Sequence, residues 1–166
     1  MSFAIFSDSS CNLPKAQLEE FQVQIISSSY EREGKLITCP PYPEDFDGHE
    51  YYNFLRNKGV VKTSLIPAAQ MEDAFRPVLA AGEDVLYITL SSGISGTVAS
   101  GLQAAQALME EFPQRQVRVL DSMGAGFGIG LLLGRASDDR KAGLNLDQTY
   151  ASLERDRDNL CEFFTV

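Results

Sequence analysis

The stretch "ITLSSGISGTVASG", residues 88 to 101, sets Ser91, Ser92, Ser95 and Thr97 with Gly93 and Gly96 between an apolar run and a helical pattern. The first backbone N–H groups of a helix have no intrahelical acceptor and point outward with the positive end of the helix dipole. A carboxylate or phosphate is held at such a place. The hydroxyls of Ser92 or Ser95 can donate to the same oxygens, while the glycines let the backbone turn and approach. The plainer role for a serine ahead of a helix is an N-cap worth ~1 kcal/mol, and both readings stand for Ser92 and Ser95. A second hydroxyl pair, Thr63 and Ser64 in "GVVKTSLIPAAQ", precedes another helical pattern and carries the same two readings.

Other chemistries find less support. The G-x-S-x-G elbow of a serine hydrolase is absent, and the single histidine, His49, lies in an acidic loop with nothing to orient it. In "GAGFGIGLLLG" Ile129 breaks the dinucleotide fingerprint, whereas Gly126, Gly130 and Gly134 recur at helical spacing, which suits close helix packing. There is no Walker loop. Asp8 and Asp121 follow apolar runs without a further clustered acid, which points to the orientation of neighbouring loops rather than to a metal site. Cys11, Cys39 and Cys161 are too few and too widely spaced for a disulfide framework or a zinc site. No catalytic residue is assigned, and neither enzymatic activity nor a cofactor is expected.

The elements that position these residues follow from hydrophobic patterning. Three apolar runs each end in a small polar cluster: "FAIF" before Ser7–Ser10, "VLYITL" before Ser91–Gly93, and "VRVL" before Asp121 and Ser122. This is the punctuation of buried strands that end in loops. Between them lie helical stripes, Met71, Phe75, Val78 and Leu79 in one and Val98, Leu102, Ala105 and Met109 in another, while Pro14 opens a helix running to about Phe21. Alternating strands and helices predict an α/β fold, a mainly parallel sheet covered by helices on both faces. Ligands of such a sheet bind beyond the carboxyl ends of its strands. There Asp8, Ser9 and Ser10, the loop from Ser91 to Thr97, and Asp121 with Ser122 are expected to form one hydroxyl-rich rim.

Two regions read as peripheral: "VQIISSSYEREGKLITC", a hairpin about Glu33-Gly34, and "CPPYPEDFDGHEYYNFLRNKG", a proline-bounded loop leading into a short helix near 44 to 57. At the end, "LDQTYASLERDRDNL" reads as a helix with Leu146, Tyr150, Leu153 and Leu160 on one side, followed by "CEFFTV" as an apolar strand. A chain of 166 residues fits one domain, and its formal charge of -9 disfavours a nucleic-acid or anionic-membrane partner. No stretch approaches the ~20 apolar residues of a membrane span and the N-terminus lacks the features of a signal peptide, so a cytoplasmic location is expected.

Taken together, "FSDSSCNLP", "VKTS", "LSSGISGT" and "VLDSMGAGFGIG" resemble, in order and spacing, the four successive motifs of the DegV family of bacterial fatty-acid-binding proteins. The resemblance covers nearly the whole chain. It implies a three-layer α/β/α first domain of a two-domain protein that holds a long-chain fatty acid, and for some members a role as the binding subunit of a fatty acid kinase, with phosphorylation done by a separate ATP-using partner. Carried over by motif, Thr63 and Ser95 would bind the fatty-acid carboxylate, with Ser64, Ser92, Gly93, Gly96, Thr97, Asp8, Ser9 and Ser122 in the supporting loops. Leu65, Ile66 and Pro67 depart from the Gln-Pro that usually follows the family's K-T-S. On this reading residues 1–166 are the first domain only. The second, which would supply much of the acyl tunnel along with a histidine and an arginine near the head group, is absent from this chain, and self-association through the uncovered flank is expected. The alternatives are an acyl- or phosphoryl-transfer enzyme with Asp8 or Asp121 as acid or base, and an interaction module that binds no ligand.

Overall fold

The computed structural model describes residues 3–163. In chain order its elements are β1 (Phe3–Asp8), α1 (Lys15–Phe21), β2 (Val23–Ile26), β3 (Ser29–Arg32), β4 (Lys35–Thr38), α2 (Gly48–Arg56), β5 (Val61–Ser64), α3 (Ala68–Ala80), β6 (Asp84–Thr89), α4 (Thr97–Glu111), β7 (Val117–Asp121), α5 (Phe127–Lys141) and α6 (Leu146–Arg157). β2, β1, β6 and β7 pair in that order as a parallel sheet. β1 and β6 are buried at every position, as central strands with helices on both faces must be. Side chains alternate between two cores. Ile5, Leu86 and Leu120 pack with Ile129, Leu132 and Leu133 of α5 and Leu153 of α6. Phe6, Tyr87 and Val119 pack with Met71, Phe75 and Leu79 of α3 and with Ala104, Ala105 and Leu108 of α4. The expected three-layer α/β/α arrangement is therefore present.

The buried face of α4 differs from the expected one. Thr97, Gly101, Ala104, Ala105 and Leu108 are buried, while Leu102 and Met109 are exposed. Small residues win this face because the helix lies close on the sheet: a Cβ on Gly101 would come within 3.2 Å of Val119 Cγ1 and 3.3 Å of Tyr87 Cε1. Of the three glycines expected to serve close packing, Gly130 and Gly134 do, whereas Gly126 caps α5 at a positive φ (55°) with nothing nearer than 3.9 Å to a Cβ. A Cβ on Gly130 would meet Leu13 Cδ2 at 2.7 Å, and one on Gly134 would meet the Phe21 ring at 3.4 Å.

A second sheet, antiparallel and ordered β4-β3-β5, stands apart from the first. Its hairpin turns at Glu33 (φ 51°) and Gly34 (φ 74°), two left-handed residues in succession, which matches the twist of the flanking strands. "VQII", expected with the hairpin, instead pairs with β1 at the edge of the parallel sheet. The break falls where Ser28 donates its N–H to Ser9 Oγ at 3.1 Å and its hydroxyl lies 2.7 Å from the same atom. "VKTS", read as a loop ahead of a helix, is β5, with Thr63 directly opposite Tyr30 of β3. Residues 161–163 form no strand, because the Glu162 carboxylate turns back to accept from the Ala125 N–H at 2.9 Å. The remainder of the expected final strand lies outside the described residues.

Candidate functional site

The carboxyl end of β1 is tied to that of β6 by one buried carboxylate. Asp8, 2% exposed, accepts from the Thr89 hydroxyl at 2.6 Å, the Tyr87 hydroxyl at 3.3 Å and the Leu90 N–H at 3.3 Å on one oxygen, and from the N–H (2.9 Å) and hydroxyl of Ser10 on the other. Burial, and then the charge of Asp8, push the Tyr87 phenol well above its ordinary pKa and keep it a donor. Ser7 adds a further tie, donating to the Ile88 carbonyl at 2.8 Å. Asp8 orients the loops, as the sequence suggested.

The loop after β6 is built in the same manner. Ser95 stands just ahead of Gly96, the residue that caps α4, and its Oγ accepts the Thr97 N–H at 3.2 Å. The Ser95 and Thr97 hydroxyls are 2.8 Å apart, and Thr97 Oγ1 accepts the Ile66 N–H at 3.3 Å. A hydroxyl has one proton to give and two lone pairs. Either hydroxyl can be the donor between them: when Thr97 O–H donates to Ser95 Oγ, both lone pairs of Ser95 are used and its proton is free for a ligand, and when Ser95 donates, the proton of Thr97 is the free one. Thr97 thereby joins the loop of Ser95 to the segment that follows Thr63. Gly96 makes room for that segment, since a Cβ there would lie 3.1 Å from Leu65 Cδ2.

Between these loops and the second sheet lies a cavity of about 560 Å³. Hydroxyl groups are supplied to it by Thr63, Ser64, Ser95 and Thr97 and by Ser10, Ser28 and Ser29, with Gly96 and Asp8 also in the lining. Leu65, Ile66, Leu90 and Ile94 supply apolar surface, and Tyr30, Phe46, Tyr51 and Tyr52 make an aromatic wall. The rings of that wall are interlocked: Tyr51 lies 5.4 Å from Tyr30, 5.2 Å from Phe46 and 5.4 Å from Tyr52, centroid to centroid. A cavity that joins hydroxyl groups to apolar and aromatic surface suits an amphiphile with an anionic head.

Thr63 and Ser95, 32 positions apart in sequence, thus border one cavity. The rim read from the sequence, however, is divided. Gly93 and Ser122 line a second hollow of about 580 Å³, together with Ser91, Arg157 and Glu162. Ser92 is exposed and donates its N–H to Asp121 at 3.1 Å, while Ser9 is engaged with Ser28. Ser122 is buried and closes a tight turn, accepting the Gly124 N–H and donating to the Gly124 carbonyl. At Asp121 burial acts to raise the pKa, but bonds from Ser92 and Met123 and the charge of Arg157 outweigh it and hold the carboxyl below its ordinary value. Among the described residues no group of three or more His, Cys, Asp or Glu side chains could hold a metal ion, and no helix is long and apolar enough to cross a membrane.

Sequence reasoning missed the aromatic wall. Its signal was Phe46, Tyr51, Tyr52 and Phe54 gathered in a segment that is otherwise acidic and polar, and that segment was read as peripheral.

Comparison with known proteins bears on this geometry. The family model describing an uncharacterised protein of the DegV family matches residues 2–166. A DegV domain-containing protein of Clostridium perfringens is 30% identical over 99% of this chain and 56% of its own length. Among solved structures, a fatty-acid-binding DegV family protein from Thermus thermophilus superposes with a TM-score of 0.82 at 28% identity, over 95% of this chain and 54% of that one. A stearic-acid-binding protein from Eubacterium ventriosum gives 0.81 at 26% identity, over 92% and 52%. The chain spans about half the length of the relatives it matches.

Proposed function

The chain belongs to the DegV family, and from that premise we propose that it holds the carboxylate of a long-chain fatty acid at Thr63 and Ser95, acting as a lipid-binding domain rather than an enzyme. One observation carries the reading: the two hydroxyl residues, on separate elements, border the same cavity, which is also lined by apolar and aromatic side chains. With Thr97 donating to Ser95, the Ser95 hydroxyl would donate to one carboxylate oxygen and the Thr63 hydroxyl to the other, as charge-assisted bonds of about 2.5–3.0 Å. The acyl chain would lie against Leu65, Ile66, Ile94 and the tyrosines. Neighbouring solved structures described as binding fatty acids, at 26–28% identity, support the choice of ligand class.

Asp8 is the carboxylate that borders the cavity, and its oxygens are taken up by Ser10, Tyr87, Thr89 and Leu90. That favours a holder over an acid–base catalyst. In the finer form of the proposal residues 1–166 act as one domain carrying the head-group end of a larger site. The held carboxylate is presented to a separate ATP-using kinase subunit in the cytoplasm.

Native mass spectrometry of the protein purified from bacterial cells tests the reading. A co-purifying mass equal to a long-chain fatty acid is expected, and a chain that is empty and stays empty after incubation with palmitate overturns it. Apolar side chains left exposed at the cavity and on α5, Leu65, Ile94, Phe127 and Leu131, make self-association through this side part of the proposal. Sedimentation at rising concentration should show dimer or higher species, and a monomer throughout would remove that part.

A further inference from the structure

α2 contributes Tyr51 and Tyr52 to the cavity yet buries none of its own residues. A helix without a buried face is placed by a few discrete contacts rather than by core packing. Here they converge on a single side chain. Arg32 of β3 donates to both oxygens of Glu50, Nη1 to Oε2 at 2.8 Å and Nη2 to Oε1 at 2.7 Å, and its guanidinium lies 3.8 Å from the centroid of the Phe54 ring. Glu50 and Phe54 are one helical turn apart, so one arginine grips two successive turns. Tyr30, two residues earlier on β3, adds its edge-on contact with Tyr51.

The two ends of α2 show where it would pivot. Asp47 caps the first turn, accepting the Glu50 N–H at 2.9 Å. At the far end Lys58 is left-handed (φ 64°) and Gly59 follows, with the Phe54 ring packed on it where any Cβ would collide. The grip is open to water on one side only, with the Glu50 side chain 53% exposed and that of Arg32 19%, and a pair of this kind adds little to stability, so that it can part.

We propose that α2 is a hinged gate over the cavity, latched by Arg32 on Glu50 and Phe54, and that the acyl chain enters and leaves when the latch parts. The ligand in this statement rests on the fatty-acid reading; the motion does not. Cys39 lines the same cavity, whereas Cys11 is buried, so the chain carries its own reporter of opening once the exposed Cys161 is replaced.

The test uses the full chain with Cys161→Ser, alone and combined with Glu50→Gln or Arg32→Ala. Two rates are followed: iodoacetamide alkylation of Cys39, read by peptide mass spectrometry, and stopped-flow binding of cis-parinaric acid. Unlatching should raise Cys39 alkylation roughly fivefold or more, and raise parinarate association and dissociation together, with affinity held within about twofold. If Arg32→Ala disturbs the second sheet, the conservative Glu50→Gln still reports, and the exchanged pair Arg32→Glu with Glu50→Arg should return both rates toward the original. Alkylation and binding rates unchanged in a folded Glu50→Gln protein overturn the gate. Faster alkylation in a protein that never binds parinarate keeps the gate and overturns the fatty-acid reading. Parinarate binding that is equally fast in every variant, with Cys39 unaltered, does the reverse.

Discussion

The parallel sheet and the antiparallel sheet hold the same cavity by different means. In the first, β1 and β6 are buried at every residue, and Asp8 draws together the loops at their ends from a position itself shut off from water. In the second, β4 and β5 have no buried residue, α2 has none either, and the Arg32–Glu50 ion pair and ring edges hold the helix. Ser95 stands on the rigid side and Thr63 on the pliable one. A fatty acid held as proposed would couple a donor on the buried framework to one on the exposed sheet.

Breaking the comparison at its stiffest point should have the largest effect. Asp8→Ala leaves the Tyr87 and Thr89 hydroxyls and the Leu90 N–H without their acceptor. A loss of more than about 3 kcal/mol is expected in denaturant unfolding. A loss under about 1 kcal/mol would mean that the loop ends are held by packing alone.

The clamp itself should behave in the opposite way. Thr63→Val or Ser95→Ala each removes one charge-assisted bond of roughly 1.5–3 kcal/mol, so fatty-acid affinity should fall about tenfold to a hundredfold while unfolding changes by about 1 kcal/mol or less. Equilibrium titration with cis-parinaric acid beside chemical denaturation separates the two quantities. Loss of stability with affinity unchanged would return both residues to a capping and strand-forming role.

Two glycines sharpen the contrast. Gly130→Ala drives a methyl into Leu13 inside the core and should cost about 1–3 kcal/mol of global stability. Gly34→Ala meets no atom within 4 Å but must adopt φ 74°, at a cost of about 1 kcal/mol, and should loosen only the second sheet. Hydrogen exchange resolved by peptide would show the first change spread across both cores and the second confined to β3, β4 and α2. Equal spread for both would mean that the sheets unfold as one unit.

The smallest effect concerns Asp121. Its pKa is depressed in the folded chain, so its stabilising contribution is complete above the ordinary carboxylate value and is lost as pH falls through the depressed one. The Ser92 and Met123 amide resonances should titrate with the Asp121 carboxyl in that lower range. An ordinary or raised midpoint would show that the turn does not depend on the charge.

What could be read from the sequence follows the same division. β1 and β6 announce themselves because burial on both faces demands unbroken apolar runs, and their polar ends mark the loops, whereas β2, a half-buried edge strand, reads with the hairpin that follows it. α3 and α6 show their buried stripes for the same reason. α4 misled because its contact with the sheet is made by Gly101, Ala104 and Ala105, residues that carry little weight in a hydrophobic pattern, while Leu102 and Met109 carry much and face water. β5 could not be seen in "VKTS", since its pairing is decided by β3, some thirty residues away, and it buries nothing. Thr63 and Ser95 came from motif resemblance, and their shared cavity is the part that only the fold supplies. The aromatic wall was hidden for want of periodicity: Phe46, Tyr51 and Tyr52 act as a cluster about a cavity and not as a stripe.

The central claim is that a fatty-acid carboxylate sits between Thr63 and Ser95. Carbon-13 NMR of palmitate labelled at its carboxyl carbon, bound to the full chain, tests it directly. The account predicts a bound carboxyl resonance distinct from that of free palmitate, displaced in Thr63→Val and in Ser95→Ala and lost in the double variant at the same concentrations. A bound resonance that is identical in all four proteins would place the head group elsewhere and contradict the account.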